Sequence, residues 1–161
     1  MYPSRNGGCN WCTKPEPRRV FAPRITGGKC SDMARILVVD DNTPLRDAIC
    51  ENLQAIGHET VAVSDGRHVD QVQRNAPVDL LITDLFMPDT DGLEVIAFFR
   101  QNFPTVPIIA ISGGGSRGMV ELLTVARRLG AHRTLLKPFG RDDLLTAVKE
   151  LLGLSQDSSA G

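Results

Sequence analysis

From residue 34 onward the chain alternates short apolar runs with longer stretches of helical period, and this alternation constrains the fold more than any other feature. The apolar runs lie at residues 35–39, 60–63, 80–83, 108–111 and 134–136. Between the first two, Leu45, Ile49, Leu53 and Ile56 step by four, four and three, which puts one apolar stripe on a helix. Thr43 is expected to cap that helix, with Pro44 in its first turn and Gly57 past its end. Asp91 is placed to cap a helix carrying Leu93, Ile96 and Phe99. A further helix carries Met119, Leu122, Leu123, Ala126 and Leu129 and stops at Gly130, and a last one carries Leu144, Val148, Leu151 and Leu152. The segment around Val69 to Val72 has a thin apolar face and is the least marked of the helices. Five successive βα units with right-handed crossovers predict an open, five-stranded parallel sheet with helices on both faces, an α/β fold.

The 161 residues suffice for one ordinary domain. With 42% hydrophobic residues and a net charge of −1, the composition argues against a disordered chain or a generally basic nucleic-acid binder. No apolar stretch approaches the roughly 18 to 20 residues that span a bilayer, so membrane insertion is not expected and a cytoplasmic protein is the default. The near-neutral total conceals an asymmetry. Residues 1–33 hold six basic side chains (Arg5, Lys14, Arg18, Arg19, Arg24, Lys29) against Glu16 and Asp32, a net of +4, which leaves −5 on the remainder. The expected organisation is a disordered basic leader at 1–33, one domain at 34–153 and a polar tail at 154–161, with no output domain behind it.

In open parallel sheets, chemistry gathers at the carboxyl ends of the strands. There the sequence places Asp40 and Asp41, Ser64, Asp84, Ser112 and Lys137. Three carboxylates from two strands, Asp40, Asp41 and Asp84, would repel one another on one rim unless a cation or proton intervened. A hard divalent ion with oxygen ligands answers that, and Mg²⁺ suits a site that keeps positions for water and a phosphate oxygen. Lys137 then offers a point charge to an anion and Ser112 a hydroxyl donor. The set describes phosphoryl transfer onto a carboxylate. Asp91 reads as a helix cap, Ser64 as turn chemistry with Asp65 and Gly66, and His58, His68 and His132 have no ligand spacing.

These residues carry a resemblance. The strand ending Ile36-Leu37-Val38-Val39-Asp40-Asp41, the segment Asp84-Leu85-Phe86-Met87-Pro88-Asp89-Thr90-Asp91-Gly92, Ser112 after Ile108-Ile109-Ala110-Ile111, and Lys137-Pro138-Phe139 together resemble a receiver domain of the two-component response regulators, of the stand-alone, chemotaxis-regulator-like kind. The resemblance spans residues 33–152. It implies a flavodoxin-like doubly wound sheet of strand order 2-1-3-4-5. It also implies that Asp84 accepts a phosphoryl group from a sensor histidine kinase or histidine phosphotransfer protein. Asp40, Asp41, Asp84 and the backbone carbonyl of Phe86 would serve Mg²⁺, Asp40 chiefly through metal-bound water. Lys137 would hold the phosphoryl group, Ser112 would swing toward it, and the Lys137-Pro138 bond would be cis. The output would be phospho-dependent binding of a protein target through the fourth and fifth helices and fifth strand, not a reaction of its own.

Two departures from the family pattern stand out. Thr134 occupies the position of the family's aromatic switch, so readout must use something else. Phe86 and Gly114 occupy positions that tune water access, and the run Gly113-Gly114-Gly115 leaves one side unshielded, which predicts a short-lived phosphoryl group tempered by the bulk of Phe86.

Two other readings stay open. One is a phosphate sink or shuttle with no phospho-dependent output. The other gives the function to the leader, as a basic arm binding nucleic acid or, through Cys9, Cys12 and Cys30, a metal. Neither role is expected: translation is expected to begin at Met33, where receivers normally start, leaving residues 1–32 as an upstream extension.

Overall fold

The apolar runs become strands because β-branched and leucine side chains fill both faces of a sheet that is covered on both sides. The structure, a computed structural model, describes residues 33–88, 90–113 and 117–154. The elements are β1 (Arg35–Val39), α1 (Thr43–Gln54), β2 (Glu59–Val63), a short 3₁₀ turn (Gly66–His68), α2 (Val69–Asn75), β3 (Leu80–Asp84), α3 (Gly92–Asn102), β4 (Ile108–Gly113), α4 (Arg117–Leu129), β5 (Arg133–Lys137) and α5 (Arg141–Leu152). The strands form one parallel sheet in the order β2-β1-β3-β4-β5, with Val38 beside Ala62 and Ile82, Asp84 beside Ile111, and Ser112 beside Leu136. Both the α/β class and the expected strand order are found.

Alternate residues feed two cores. Ile36, Val38, Leu80, Ile82, Ile109 and Ile111 pack with Ile49 and Leu53 of α1 and Leu144 and Val148 of α5. Leu37, Val39, Leu81, Ile108 and Ala110 pack on the opposite face with Val95, Ile96 and Phe99 of α3 and Ala126 of α4. Each of the Val, Leu, Ile and Phe side chains among them contributes about 1.5 to 3 kcal/mol by leaving water, so the sheet holds its carboxyl rim rigidly. The edge strands β2 and β5 are only half covered, and Leu136 on β5 is exposed.

Local details correct three expectations. Asn42, not Thr43, caps α1: its side chain accepts from Leu45 N–H, and Thr43 is already the first helical residue. Asn suits a cap at least as well as Thr, and moving the cap back one residue leaves Pro44 in the first turn. Leu129 is exposed instead of completing the α4 stripe, because the buried face of that helix centres on Ala126. Ile56 lies beyond the end of α1 and packs on the core from the turn before Gly57, whose φ of 94° reverses the chain. Asp91 caps α3 as expected, accepting from Leu93 N–H at 2.9 Å. The leader with its cysteines, Asp89, Gly114, Gly115 and residues 155–161 lie outside the described residues.

Candidate functional site

β1 and β3 lie side by side at the centre of the sheet, and their following connections lead to opposite faces. That divergence opens a crevice at the carboxyl rim. Asp40 and Asp41 follow β1 directly and Asp84 ends β3, so sheet pairing alone brings the three carboxylates together. One oxygen from each lies within 4.8 Å of the others. Asp40 and Asp84 are buried and Asp41 is exposed.

Lys137, the last residue of β5, extends into this group. Its Nζ lies 3.3 Å from Asp84 Oδ2 and 3.4 Å from Asp40 Oδ2. The Lys137-Pro138 peptide bond is cis, as expected. Ser112 is fully buried near the end of β4, one residue beyond Ile111, the neighbour of Asp84 in the sheet. Asn42 N–H donates to Asp40 Oδ1 at 2.8 Å, so the start of α1 holds one of the carboxylates.

The loop after Asp84 is tied down by Leu85 N–H, which donates to Ile111 C=O at 2.8 Å. Gly92 permits α3 to begin against this loop: a Cβ there would overlap the Asp84 carbonyl oxygen and stand 2.6 Å from Leu85 Cα. Phe86, two residues beyond Asp84, is 48% exposed.

Asp84 is the electrostatically unusual member. Burial pushes its carboxyl above the usual carboxylate range; the Lys137 charge opposes this, Asp40 adds to it, and Phe86 N–H and Lys137 hydrogen bonding oppose it. Its Oδ1 is buried and, among the described residues, accepts no hydrogen bond. A buried, orphaned carboxylate oxygen beside two further carboxylates is a donor set that fits a hard divalent cation with oxygen ligands.

The structure thus brings Asp40, Asp41, Asp84 and Lys137 together, with Ser112 on the adjoining strand. Ser64 follows β2 as the residue before Asp65, which caps the 3₁₀ turn and accepts from Arg67 N–H at 2.8 Å. Two participants escaped the sequence reading. Arg46 on α1 donates from Nη1 to the Asp40 carbonyl at 2.9 Å; its place one turn into a helix that starts at the acidic pair was the available signal. Arg127 on α4 donates from Nε and Nη2 to Thr134 Oγ1 at 3.1 and 2.9 Å, and nothing in the spacing of those two residues announced it.

Comparison with known proteins agrees with this arrangement. The family described as "Response regulator receiver domain" matches residues 36–149. The chain is 32% identical over 118 residues to the C4-dicarboxylate transport transcriptional regulatory protein DctD of Pseudomonas aeruginosa, covering 73% of this chain and 25% of that one. It is 32% identical over 121 residues to the virulence transcriptional regulatory protein PhoP of Salmonella typhimurium, covering 74% and 52% respectively. The chain therefore spans between a quarter and a half of these relatives' lengths. Among solved structures, the receiver domain of NtrX from Brucella abortus superposes with a TM-score of 0.69 at 30% identity, covering 74% of this chain and 99% of that one. Chemotaxis protein CheY4 of Vibrio cholerae gives 0.67 at 29% identity, covering 74% and 98%. Since the likeness runs through nearly the whole of both solved receivers and the family match takes in both the acidic crevice and its lysine, this chain belongs to the response regulator receiver domain family.

Proposed function

We propose that residues 34–153 work as a cytoplasmic phosphorylation switch, with Asp84 as the phosphoacceptor. The observation that carries this reading is the buried Asp84 carboxylate, one oxygen without a hydrogen bond and the other 3.3 Å from the Lys137 ammonium. A carboxylate oxygen of Asp84 attacks the phosphorus of a phosphohistidine on a sensor kinase or phosphotransfer protein. The new O–P bond forms as the N–P bond breaks, and the electron pair leaves with the imidazole, which takes up a proton. Lys137 neutralises charge on the transferred group, and the Ser112 hydroxyl donates to one of its oxygens.

Asp40, Asp41, Asp84 and the Phe86 carbonyl would hold Mg²⁺, which supplies charge neutralisation for the incoming phosphoryl oxygens. A groove bordered by Asn42, Leu45, Gly113, Lys137, Pro138 and Phe139 opens beside Lys137 and supports approach of the donor from that side. Hydrolysis of the acyl phosphate resets the switch without a further enzyme activity, and the output is altered affinity for a protein target, with no role for nucleic acid.

The phosphate-sink reading draws support from one observation, the replacement of the switch aromatic by Thr134, whose hydroxyl is held by Arg127. Phosphotransfer from a panel of histidine kinases, followed by pull-down with phosphorylated protein and with Asp84→Ala, tests both. A switch recovers a target only, or more strongly, with the phosphorylated form. A sink accepts phosphate and recovers none, and transfer to Asp84→Ala would remove the assignment altogether.

A further inference from the structure

Asp40 is held at every polar atom. Its N–H donates to Val63 C=O at 3.2 Å, Oδ1 accepts from Asn42 N–H at 2.8 Å, and Oδ2 lies 3.4 Å from Lys137 Nζ. The fourth anchor is Arg46, whose Nη1 donates to the Asp40 carbonyl at 2.9 Å while Nη2 reaches Thr43 Oγ1 at 3.3 Å. A planar guanidinium spanning two acceptors fixes direction as well as distance, which a lysine ammonium cannot do.

The Asp40 carbonyl belongs to the peptide unit that joins Asp40 to Asp41. Because that unit is planar, fixing the carbonyl also fixes the Asp41 N–H and the position of the Asp41 Cα. Asp41 is exposed, so its backbone decides where its carboxylate stands relative to Asp40 and Asp84.

We infer that Arg46 is a positioning residue, which clamps the Asp40–Asp41 peptide so that the exposed Asp41 carboxylate is presented to a divalent cation. This rests on the proposed reading of the acidic crevice as the cation site. Charge and position pull in opposite directions here. The Arg46 cation by itself repels an incoming Mg²⁺, so a purely electrostatic role predicts tighter binding when the charge is removed. Loss of a positioning contact predicts weaker binding whether or not the charge is kept, by roughly tenfold for an outer-shell partner of a metal ligand.

The test is a Mg²⁺ titration of the full chain, followed by the backbone amide shifts of Asp40, Asp41 and Asp84, for wild type, Arg46→Lys and Arg46→Gln. Thermal melting without divalent ions is recorded in parallel. Expected is a dissociation constant roughly tenfold weaker in both variants, with the folded amide spectrum retained. Unchanged affinity in Arg46→Lys with equal or tighter binding in Arg46→Gln would overturn the clamp. So would lowered melting temperatures with unchanged Mg²⁺ affinity, since Arg46 would then serve the fold alone. A wild type whose three amides fail to respond to Mg²⁺ would overturn the cation site itself and the clamp with it.

Discussion

Replacing Asp84 by asparagine should make the metal-free protein more stable. The Lys137 ammonium at 3.3 Å from Oδ2 attracts the Asp84 carboxylate with about 5 kcal/mol at an effective dielectric of about 20. Asp40, with an oxygen within 4.8 Å, opposes this with at least about 3.5 kcal/mol on the same scale, and Asp41, screened by water, adds a smaller repulsion. The Coulomb contributions nearly cancel, and what remains is the cost of keeping a buried charge whose Oδ1 has no hydrogen bond. Asparagine keeps an acceptor for Lys137 and removes that charge, for an expected gain of about 1 to 2 kcal/mol. At roughly 4 °C per kcal/mol for a domain of this size, the melting temperature should rise by about 4 to 8 °C in EDTA at pH 7.

The sign can be checked with pH. Because the folded carboxyl titrates above its ordinary 3.8, Asp84 is protonated and without penalty below that value, and stability is lost as pH rises through the raised value. The advantage of Asp84→Asn should therefore be smallest near pH 4 and grow as pH rises through the raised value, and Mg²⁺ should narrow it by stabilising the wild type more. A variant melting at or below wild type at pH 7 in EDTA, or a difference independent of pH, would refute this reasoning.

Other outcomes follow from the same geometry. Partial desolvation, and secondarily Arg100, hold the His132 imidazole below its usual 6.5, while its Nδ1 accepts from Ile108 N–H at 3.1 Å. That neutral form contributes stability above about pH 6.5 which is lost as pH falls through the lowered value, so His132→Gln should flatten the acid limb of a stability–pH curve measured by denaturant. Gly92→Ala should cost about 1 to 3 kcal/mol in chemical denaturation, because the added Cβ overlaps the Asp84 carbonyl oxygen. Thr134→Val should remove both Arg127 hydrogen bonds and lower stability by about 1 kcal/mol, while Mg²⁺-dependent phosphate incorporation persists. The phosphorylated protein, isolated and followed by acid-labile phosphate, should revert well within many hours.

The sheet was legible because burial on both faces leaves its strands as unbroken apolar runs, and all five expected strands occur with only their ends extended. The acidic crevice was legible for a related reason: strand ends meet at one rim, so Asp40, Asp41, Asp84 and Lys137 converge through topology although they are distant in the chain. Polar latches were less visible. His58 and His132 carry no motif, yet each turns Nδ1 toward the backbone N–H of a neighbouring segment, Ala34 and Ile108. α2 was thinly marked because it buries Gln73 beside Val69, and Gln73 is spent on the N–H of Val78, an interaction hydrophobic periodicity does not register. Arg46 and Arg127 act through long side chains whose targets depend on tertiary placement.

The most direct measurement is the intact mass of the protein after incubation with a small phosphodonor and Mg²⁺, before and after mild acid or hydroxylamine. Expected is the gain of one phosphoryl group by wild type, dependent on the divalent ion and lost on either treatment, with no gain by Asp84→Ala. A phosphoryl group retained on Asp84→Ala, or one stable to hydroxylamine, would contradict Asp84 as the phosphoacceptor.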